Sequence, residues 1–185
     1  MKIKDIVFIA LFTALIAAGA FIKIPVPVCP FTLQFFFTTL AGLFLGPKKG
    51  AISVLCYVVL GLVGVPIFAS GGGFGYVFQP TFGYLIGFIV GTYLTGAIAW
   101  KVEKPSVKRL LVANFAGLLL VYAMGMIYYW LIMTFYVGTG IGLWTLFLYC
   151  FLFVVPGDAV LCVVAAVVGK RLLPVLRKGL VSANG

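Results

Sequence analysis

The sequence has no histidine and only three acidic residues, and both shortages limit its chemistry. Without histidine the chain cannot form imidazole zinc sites, Ser-His-Asp triads or imidazole proton relays. The acids are Asp5, Glu103 and Asp158, so a hydrolytic pair of carboxylates would need residues from distant parts of the chain. We therefore expect no enzyme active site, no metal site and no cofactor.

Charge of either sign is also scarce. Charged residues make up 9% of the 185 residues, hydrophobic residues make up 64%, and the mean hydropathy is +1.28. A soluble domain is about 25% charged. The chain has the length of one domain but too few charged side chains to cover its surface in water. The composition therefore predicts an integral membrane protein.

Long apolar runs are abundant, and six of them fill most of the chain. They are residues 6–22, 31–46, 51–65, 80–100, 110–135 and 144–169, the last interrupted at Pro156-Gly157-Asp158. The first run is longer than the apolar part of a signal peptide, so we expect it to be retained. Helices are expected because a lipid-facing backbone must bond internally and the runs do not alternate as barrel strands do.

We therefore predict an all-α fold with six transmembrane helices in one domain, residues 1–180. Residues 181–185 carry no pattern and are typical of a tail added by an expression vector.

The basic residues are distributed in a way that orients these spans. All of them except Lys23 fall on one side when six spans alternate across the membrane. They are Lys2, Lys4, Lys48, Lys49, Lys101, Lys104, Lys108, Arg109, Lys170, Arg171, Arg177 and Lys178. The positive-inside rule places this side, with both termini, in the cytoplasm. The same distribution explains the net charge of +10 without a nucleic-acid partner.

Two of the connections on the outer side have unusual sequences. Prolines in residues 23–30 predict a stiff, extended loop. Residues 66–79 contain the run Gly71-Gly72-Gly73-Phe74-Gly75, which is not a phosphate loop because no Lys-Ser/Thr follows it. The run is either a flexible connection or a platform where backbone groups approach a ligand closely, with aromatic side chains around it.

Asp158 is the only acid in the middle of an apolar run. Its burial in a membrane costs about 2.5–3.5 kcal/mol on insertion scales. It lies about 16 Å from the inner end of its helix at helical rise, which is near the middle of the membrane. Two compatible interpretations remain open: Asp158 caps a half-helix over residues 159–169, or it faces a ligand.

Other polar side chains lie near the outer ends of the spans. They are Gln34, Gln79, Thr81 and Tyr84. With Asp158 and the loop aromatics, they suit a small, partly apolar molecule with a neutral polar head.

Small residues recur at four-residue spacing in two spans. Ala10, Ala14 and Ala18 form one stripe, and Gly83, Gly87 and Gly91 form the other. Such stripes let helices approach closely. We expect the glycine stripe to pack inside the protein, whereas the alanine stripe is equally suited to an internal contact and to a partner helix.

An ordered set of motifs then resembles the BioY family, from the first residue to about residue 175. The motifs are Pro25-Val26-Pro27, Phe31-Thr32-Leu33-Gln34, residues 41–46, Tyr57, residues 60–68, Gly71-Gly72-Gly73, residues 80–88 and Pro156-Gly157-Asp158. Any single motif is weak, but the ordered combination is specific.

The resemblance implies a function in transport. BioY proteins are the biotin-capturing substrate-binding subunits, or S components, of energy-coupling-factor (ECF) transporters. It implies a multi-pass protein of a prokaryotic plasma membrane that takes biotin from outside. Its partners would be a transmembrane coupling protein and two cytoplasmic ATPases. The alanine stripe resembles the motif with which such subunits contact the coupling protein.

The resemblance also implies roles for particular residues. Asp158 would accept a hydrogen bond from a ureido N–H of biotin, and Gln79 would contact the same head group. Phe31, Phe68 and Tyr84 would cover the rings, and Lys23 is a candidate for the carboxylate. The remaining expected contacts are Gln34, Gly71, Gly72 and Gly73. One position departs from the family pattern, because Leu161 stands where many members are expected to carry a lysine one turn after the aspartate.

Two other functions fit the sequence less well. A self-sufficient channel or secondary transporter would need a polar path, yet the first, third and fifth spans hold almost no polar residues and the inner half of the bundle is expected to be dry. An intramembrane enzyme would need a nucleophile and a base at the same depth, and the sequence offers no such pair.

Overall fold

A computed structural model of the protein describes residues 2–24 and 30–181. The described chain is helical apart from two short strands. Its elements are α1 (Ile3–Phe21), β1 (Lys23–Ile24), β2 (Phe31–Thr32), α2 (Gln34–Leu62), a 3-10 helix (Phe74–Phe78), α3 (Phe82–Trp100), α4 (Val107–Leu131), α5 (Leu143–Phe147) and α6 (Val155–Val181). The predicted all-α fold is confirmed. Most of the proline-rich loop, Pro25–Cys29, and residues 182–185 of the predicted tail lie outside the described residues.

Helix α2 folds back on itself at Gly46. This residue has φ +81°, which glycine tolerates, and Pro47 begins the second arm. The arms run antiparallel, because Gln34 at the start of the first contacts Tyr57 near the end of the second, with 2.6 Å between Nε2 and the hydroxyl oxygen. The indole Nε1 of Trp100 donates to the Leu43 carbonyl beside the turn, at 2.8 Å.

The helices form one bundle with two recognisable ends. Helix α2 packs against α1 and α3, α3 packs against α4, and α6 packs against α2 and α4. At the basic end, Lys49 forms an ion pair with Asp5 (2.6 Å) and the Lys170 ammonium donates to the Pro105 carbonyl (3.1 Å). At the opposite, loop end lie the β1–β2 pair and residues 63–81.

Two hydrophobic clusters fill the bundle. The loop-end cluster is rich in aromatic side chains and includes Tyr57, Phe68 and Phe88. The basic-end cluster is mostly aliphatic and includes Leu43 and Leu110. This arrangement surrounds any site at the loop end with aromatic rings and closes the other end with packed side chains.

The last apolar segment is interrupted, but two residues earlier than expected. π-helical turns extend α4 through Ile132–Tyr136 and α5 through Leu148–Leu152. The helix breaks at residues 153–154, and α6 already begins at Val155. Asp158 is thus inside the first turn of α6, and the interpretation that it caps a helix starting at residue 159 is wrong. Pro156 fits this first turn because the amide it lacks would have no partner there.

Within the described residues, five helical stretches are long and apolar enough to cross a membrane. They are Ile3–Phe21, Gln34–Leu62, Phe82–Trp100, Val107–Tyr136 and Leu143–Leu176. The sequence predicted six, and the difference arises because the second and third predicted spans are the two arms of the folded α2.

Candidate functional site

A cavity opens at the loop end of the bundle. Polar groups and aromatic or aliphatic side chains both face it. Its lining residues are Pro30, Thr32, Gln34, Phe35, Ala69, Tyr76, Thr81, Tyr84, Leu85, Phe88, Val121, Tyr122, Val154 and Asp158. The mixture of a largely apolar wall and a few placed polar groups is typical of small-molecule sites.

Asp158 is the only acid in this lining. Its side chain is 5% exposed, and the hydroxyl of Tyr122 donates to Oδ2 at 2.6 Å. The other oxygen, Oδ1, is buried and has no hydrogen-bond partner in the structure. The first turn of α6 carries the positive end of the helix dipole, which favours a negative group there. The cavity therefore contains one buried acceptor whose lone pairs are unused.

Gln34 forms part of a polar chain on another wall of the cavity. The Thr32 hydroxyl donates to Gln34 Oε1 at 3.1 Å, and Gln34 Nε2 donates to the Tyr57 hydroxyl at 2.6 Å. Tyr57 in turn donates to the Ile67 carbonyl at 3.0 Å. Because the Tyr57 proton is used on Ile67, its oxygen must accept from Gln34, and this fixes the orientation of the Gln34 amide.

Aromatic rings pack against Tyr122 and Tyr76, two of the residues that line the cavity. Tyr84 and Phe151 pack edge-on against Tyr122, with ring centroids 5.8 and 5.6 Å away. Phe68, which is 2% exposed, packs against Tyr76 with centroids 4.5 Å apart. The edge-on and tilted arrangements are those that aromatic pairs prefer, and they hold each ring in one orientation.

The glycine run shapes the loop rather than the cavity wall. Gly71 and Gly73 have φ of +116° and +101°, so a side chain at either position would be strained. The Gly73 amide donates to the Gly61 carbonyl at 2.7 Å, and Gly71 pairs with Phe68 through two backbone bonds. None of Gly71, Gly72 and Gly73 lines the cavity.

The structure brings together three of the residues expected to bind a ligand. Asp158, Gln34 and Tyr84 all line the cavity. Lys23 lies beside it, with its ammonium donating to the carbonyl of Ala69, a lining residue, at 2.8 Å.

Three other expected contacts lie outside the lining. The ring of Phe31 lies against Gly157, next to Asp158. Phe68 lies beneath Tyr76, and Gln79 is exposed at the end of the 3-10 helix. Direct ligand contact by these residues and by the glycines stays a prediction.

Sequence reasoning missed Tyr122, the residue that donates a hydrogen bond to Asp158. It lies in α4, which we had described as a span with almost no polar groups. That description was wrong, since Asn114 and Tyr122 are both buried in α4. The available signal was a tyrosine in the interior of an apolar span, where a hydroxyl needs a partner.

The first and third predicted spans also hold buried polar side chains, namely Thr13 and Ser53. The Thr13 hydroxyl oxygen lies 2.9 Å from the carbonyl oxygens of both Ile9 and Ser53, which share its one proton. Asn114 donates to the Cys162 carbonyl at 2.9 Å. These groups bond to the backbone inside the bundle, so they serve helix packing.

Comparison with known proteins gives a consistent result. The profile of the BioY family matches residues 1–178. A probable biotin transporter BioY of Lysinibacillus sphaericus is 43% identical over 173 residues, which cover 94% of this chain and 88% of that protein. The biotin transporter BioY of Thermotoga maritima is 44% identical over 123 residues, covering 66% and 72%.

A solved structure is also similar. It is the crystal structure of the S-component for biotin from an ECF-type ABC transporter, which matches with a TM-score of 0.78 and 29% identity. The match covers 92% of this chain and 91% of the other. With its sequence and its fold both similar to these proteins, the chain belongs to the BioY family.

Proposed function

We propose that this protein captures biotin from outside the cell as the substrate-binding subunit of an ATP-driven ECF transporter. One observation carries the proposal beyond family membership. Asp158, a buried carboxyl group with one oxygen that has no hydrogen-bond partner, lines a cavity whose other walls are mostly apolar and aromatic side chains.

The chemistry of biotin complements this cavity. Its cyclic urea has two N–H donors, its sulfur-containing ring is apolar, and its chain ends in a carboxylate. A ureido N–H bonds to Asp158 Oδ1, and Tyr84, Phe88 and neighbouring rings cover the apolar ring. A hydrogen bond to a charged group is worth about 1.5–3 kcal/mol, which makes Asp158 the main polar anchor.

The charged tail of biotin then points toward the cavity mouth. Lys23 is proposed to meet its carboxylate, because the ammonium lies beside the lining residue Ala69. Gln79 and Phe31 contact the ligand only if the loop end closes over it. Phe68 and the glycine run Gly71–Gly73 contribute by holding the loop that carries Ala69 and Tyr76.

The proposed topology has six membrane crossings with both termini in the cytoplasm. The crossings are α1, the two arms of α2, α3, α4 and the α5–α6 segment. In support, Lys49, Arg109 and Lys170 all lie at the basic end, where each bonds to a neighbouring element or loop. The positive-inside rule assigns that end to the cytoplasm, so the cavity opens outward.

The energising partners are proposed to be a transmembrane coupling protein and two cytoplasmic ATPases. The surface of the bundle has a helix face that suits the coupling protein. Ala10, Ala14 and Ala18 are exposed on α1, so the stripe is free to receive a partner helix.

A channel or a secondary transporter is less consistent with the structure. The basic-end cluster closes the bundle below the cavity with side chains such as Leu43, Leu110 and Leu173, each at most 2% exposed. Capture on one side, with transport left to partner proteins, fits this closed end.

Replacing Asp158 with asparagine tests the proposal. In Asp158→Asn the amide can place an N–H donor toward the ureido donors, so we expect biotin affinity to fall at least about tenfold. Titration calorimetry on the purified protein in detergent measures the change. The control Asp5→Asn alters an acid at the basic end and should leave the affinity within about twofold.

A second measurement separates capture from transport. Vesicles that contain only this protein should bind biotin but not concentrate it. Unchanged biotin affinity in Asp158→Asn would show that this residue does not belong to the site. In the vesicles, ion-driven uptake by the protein alone would favour the secondary transporter.

A further inference from the structure

One oxygen of Asp158 is bonded to a side chain of the protein itself. The Tyr122 hydroxyl donates to Oδ2 at 2.6 Å, a short bond of the kind formed with a carboxylate. Both side chains are buried and both line the cavity. The two oxygens of Asp158 are therefore not equivalent, since only Oδ1 lacks a partner.

Tyr122 is itself held firmly. Tyr84 and Phe151 pack edge-on against its ring, with interplanar angles of 86° and 83°. Tyr122 belongs to α4 and Asp158 to α6, so their bond also spans two helices. The rings on either side therefore hold the Tyr122 ring, and with it the hydroxyl oxygen, next to Asp158.

We propose that Tyr122 is a positioning residue for ligand binding. It fixes the Asp158 carboxylate so that Oδ1 points into the cavity and only one of the oxygens remains for the ligand. This inference rests on the proposed function of the cavity, and it assigns to Tyr122 an action through Asp158.

The chemistry of the donor matters as much as its position. A phenol is neutral, so it satisfies one oxygen without bringing a counter-charge. Leu161, one turn after Asp158, supplies no cation either. A ligand with an N–H donor supplies the hydrogen bond that Oδ1 lacks, so the site favours such molecules.

The test is the substitution Tyr122→Phe, which removes the hydroxyl and keeps the ring. We expect biotin affinity to fall about fivefold or more, because the carboxylate is no longer held in one orientation. In an Asp158→Asn background the same substitution should change the affinity by less than about twofold. Titration calorimetry on the four proteins gives this cycle.

Two further variants keep the test decisive. Tyr129→Phe alters a buried tyrosine of the same helix that does not line the cavity, and it should leave biotin affinity unchanged. Tyr122→Met also removes the hydroxyl but fills the space with a flexible side chain. It is measured alongside, so that the result does not depend on the folding of one variant.

The outcomes are distinct. Equal affinity of the wild type and both Tyr122 variants would overturn the inference. If Tyr122→Phe lowered biotin affinity equally in the wild-type and Asp158→Asn backgrounds, the inference would also be overturned. That result would show that Tyr122 serves packing alone. If the wild type itself failed to bind biotin, the proposed function would fall, whatever the variants did.

Discussion

Lys23 lies at the cavity rim, where its ammonium donates to the Ala69 carbonyl at 2.8 Å. This single bond to a neutral carbonyl leaves two of its three donors for other acceptors. Its strand position is fixed by pairing with Thr32, which itself lines the cavity. A flexible cation held at this point suits an anionic group at the end of a ligand.

We expect Lys23→Gln to weaken biotin binding about two- to fivefold, the range of an exposed ion pair. The amide of biotin, which lacks the negative charge, should bind the variant and the wild type equally. Competition binding with both ligands measures the difference. A similar loss for the amide would show that Lys23 holds the loop through Ala69 instead of meeting the carboxylate.

Single residues were predictable where the sequence made them unusual. Asp158 was the one acid in an apolar run, and Gln34 and Tyr84 were polar groups near span ends. Tyr122 was not found, because its importance comes from its contact with Asp158, 36 residues away. Which residues of two helices meet depends on their rotation and crossing, which a single sequence does not specify.

Among the elements, the loop after α2 depends on one close contact. A methyl group added at Gly61 would overlap the ring of Phe68. Phe68 in turn packs under Tyr76, and the Gly61 carbonyl accepts from the Gly73 amide at 2.7 Å. The loop therefore folds onto the end of α2 at a position that requires glycine.

The substitution Gly61→Ala should lower stability by about 1–3 kcal/mol, the usual cost of overpacking. Biotin affinity should fall too, because Tyr76 would move with Phe68. Gly75→Ala is the matched control, since nothing lies within 4 Å of an added methyl group there. Thermal unfolding in detergent compares the two, and equal melting temperatures would contradict this account of the loop.

The elements themselves were largely predictable from apolar runs. The fourth predicted span began at residue 80 and ended at 100, and α3 runs from Phe82 to Trp100. The position of the break before α6 was missed by two residues, because proline is accommodated in a first turn. The π-helical turns could not be predicted, since no local residue pattern distinguishes them from an α-helix.

At the scale of the whole molecule, the alanine stripe of α1 is exposed on the surface of the bundle. Ala10, Ala14 and Ala18 are exposed while other residues of α1 pack against α2. A flat surface of this kind allows the backbones of two helices to approach closely.

The substitution Ala14→Leu should reduce assembly with the proposed coupling protein and ATPases about fivefold or more, because the larger side chain separates the helices. Biotin binding by the isolated protein should not change. Co-purification of the complex from membranes measures assembly, with Ala123→Leu at an exposed alanine of α4 as control. Equal recovery of both variants would place the partner surface elsewhere.

The fold-back of α2 has a consequence for the surrounding lipid. Its arms, residues 34–45 and 47–62, are about 18 and 24 Å long at helical rise, against a hydrocarbon thickness of about 30 Å. The first arm is mostly buried in the bundle, whereas the second exposes Ile52, Leu55, Val59 and Leu60, so the mismatch concerns lipid beside the second arm. In the proposed six-span topology the acyl chains there compress or the protein tilts, and each response costs fractions of a kcal/mol per Å.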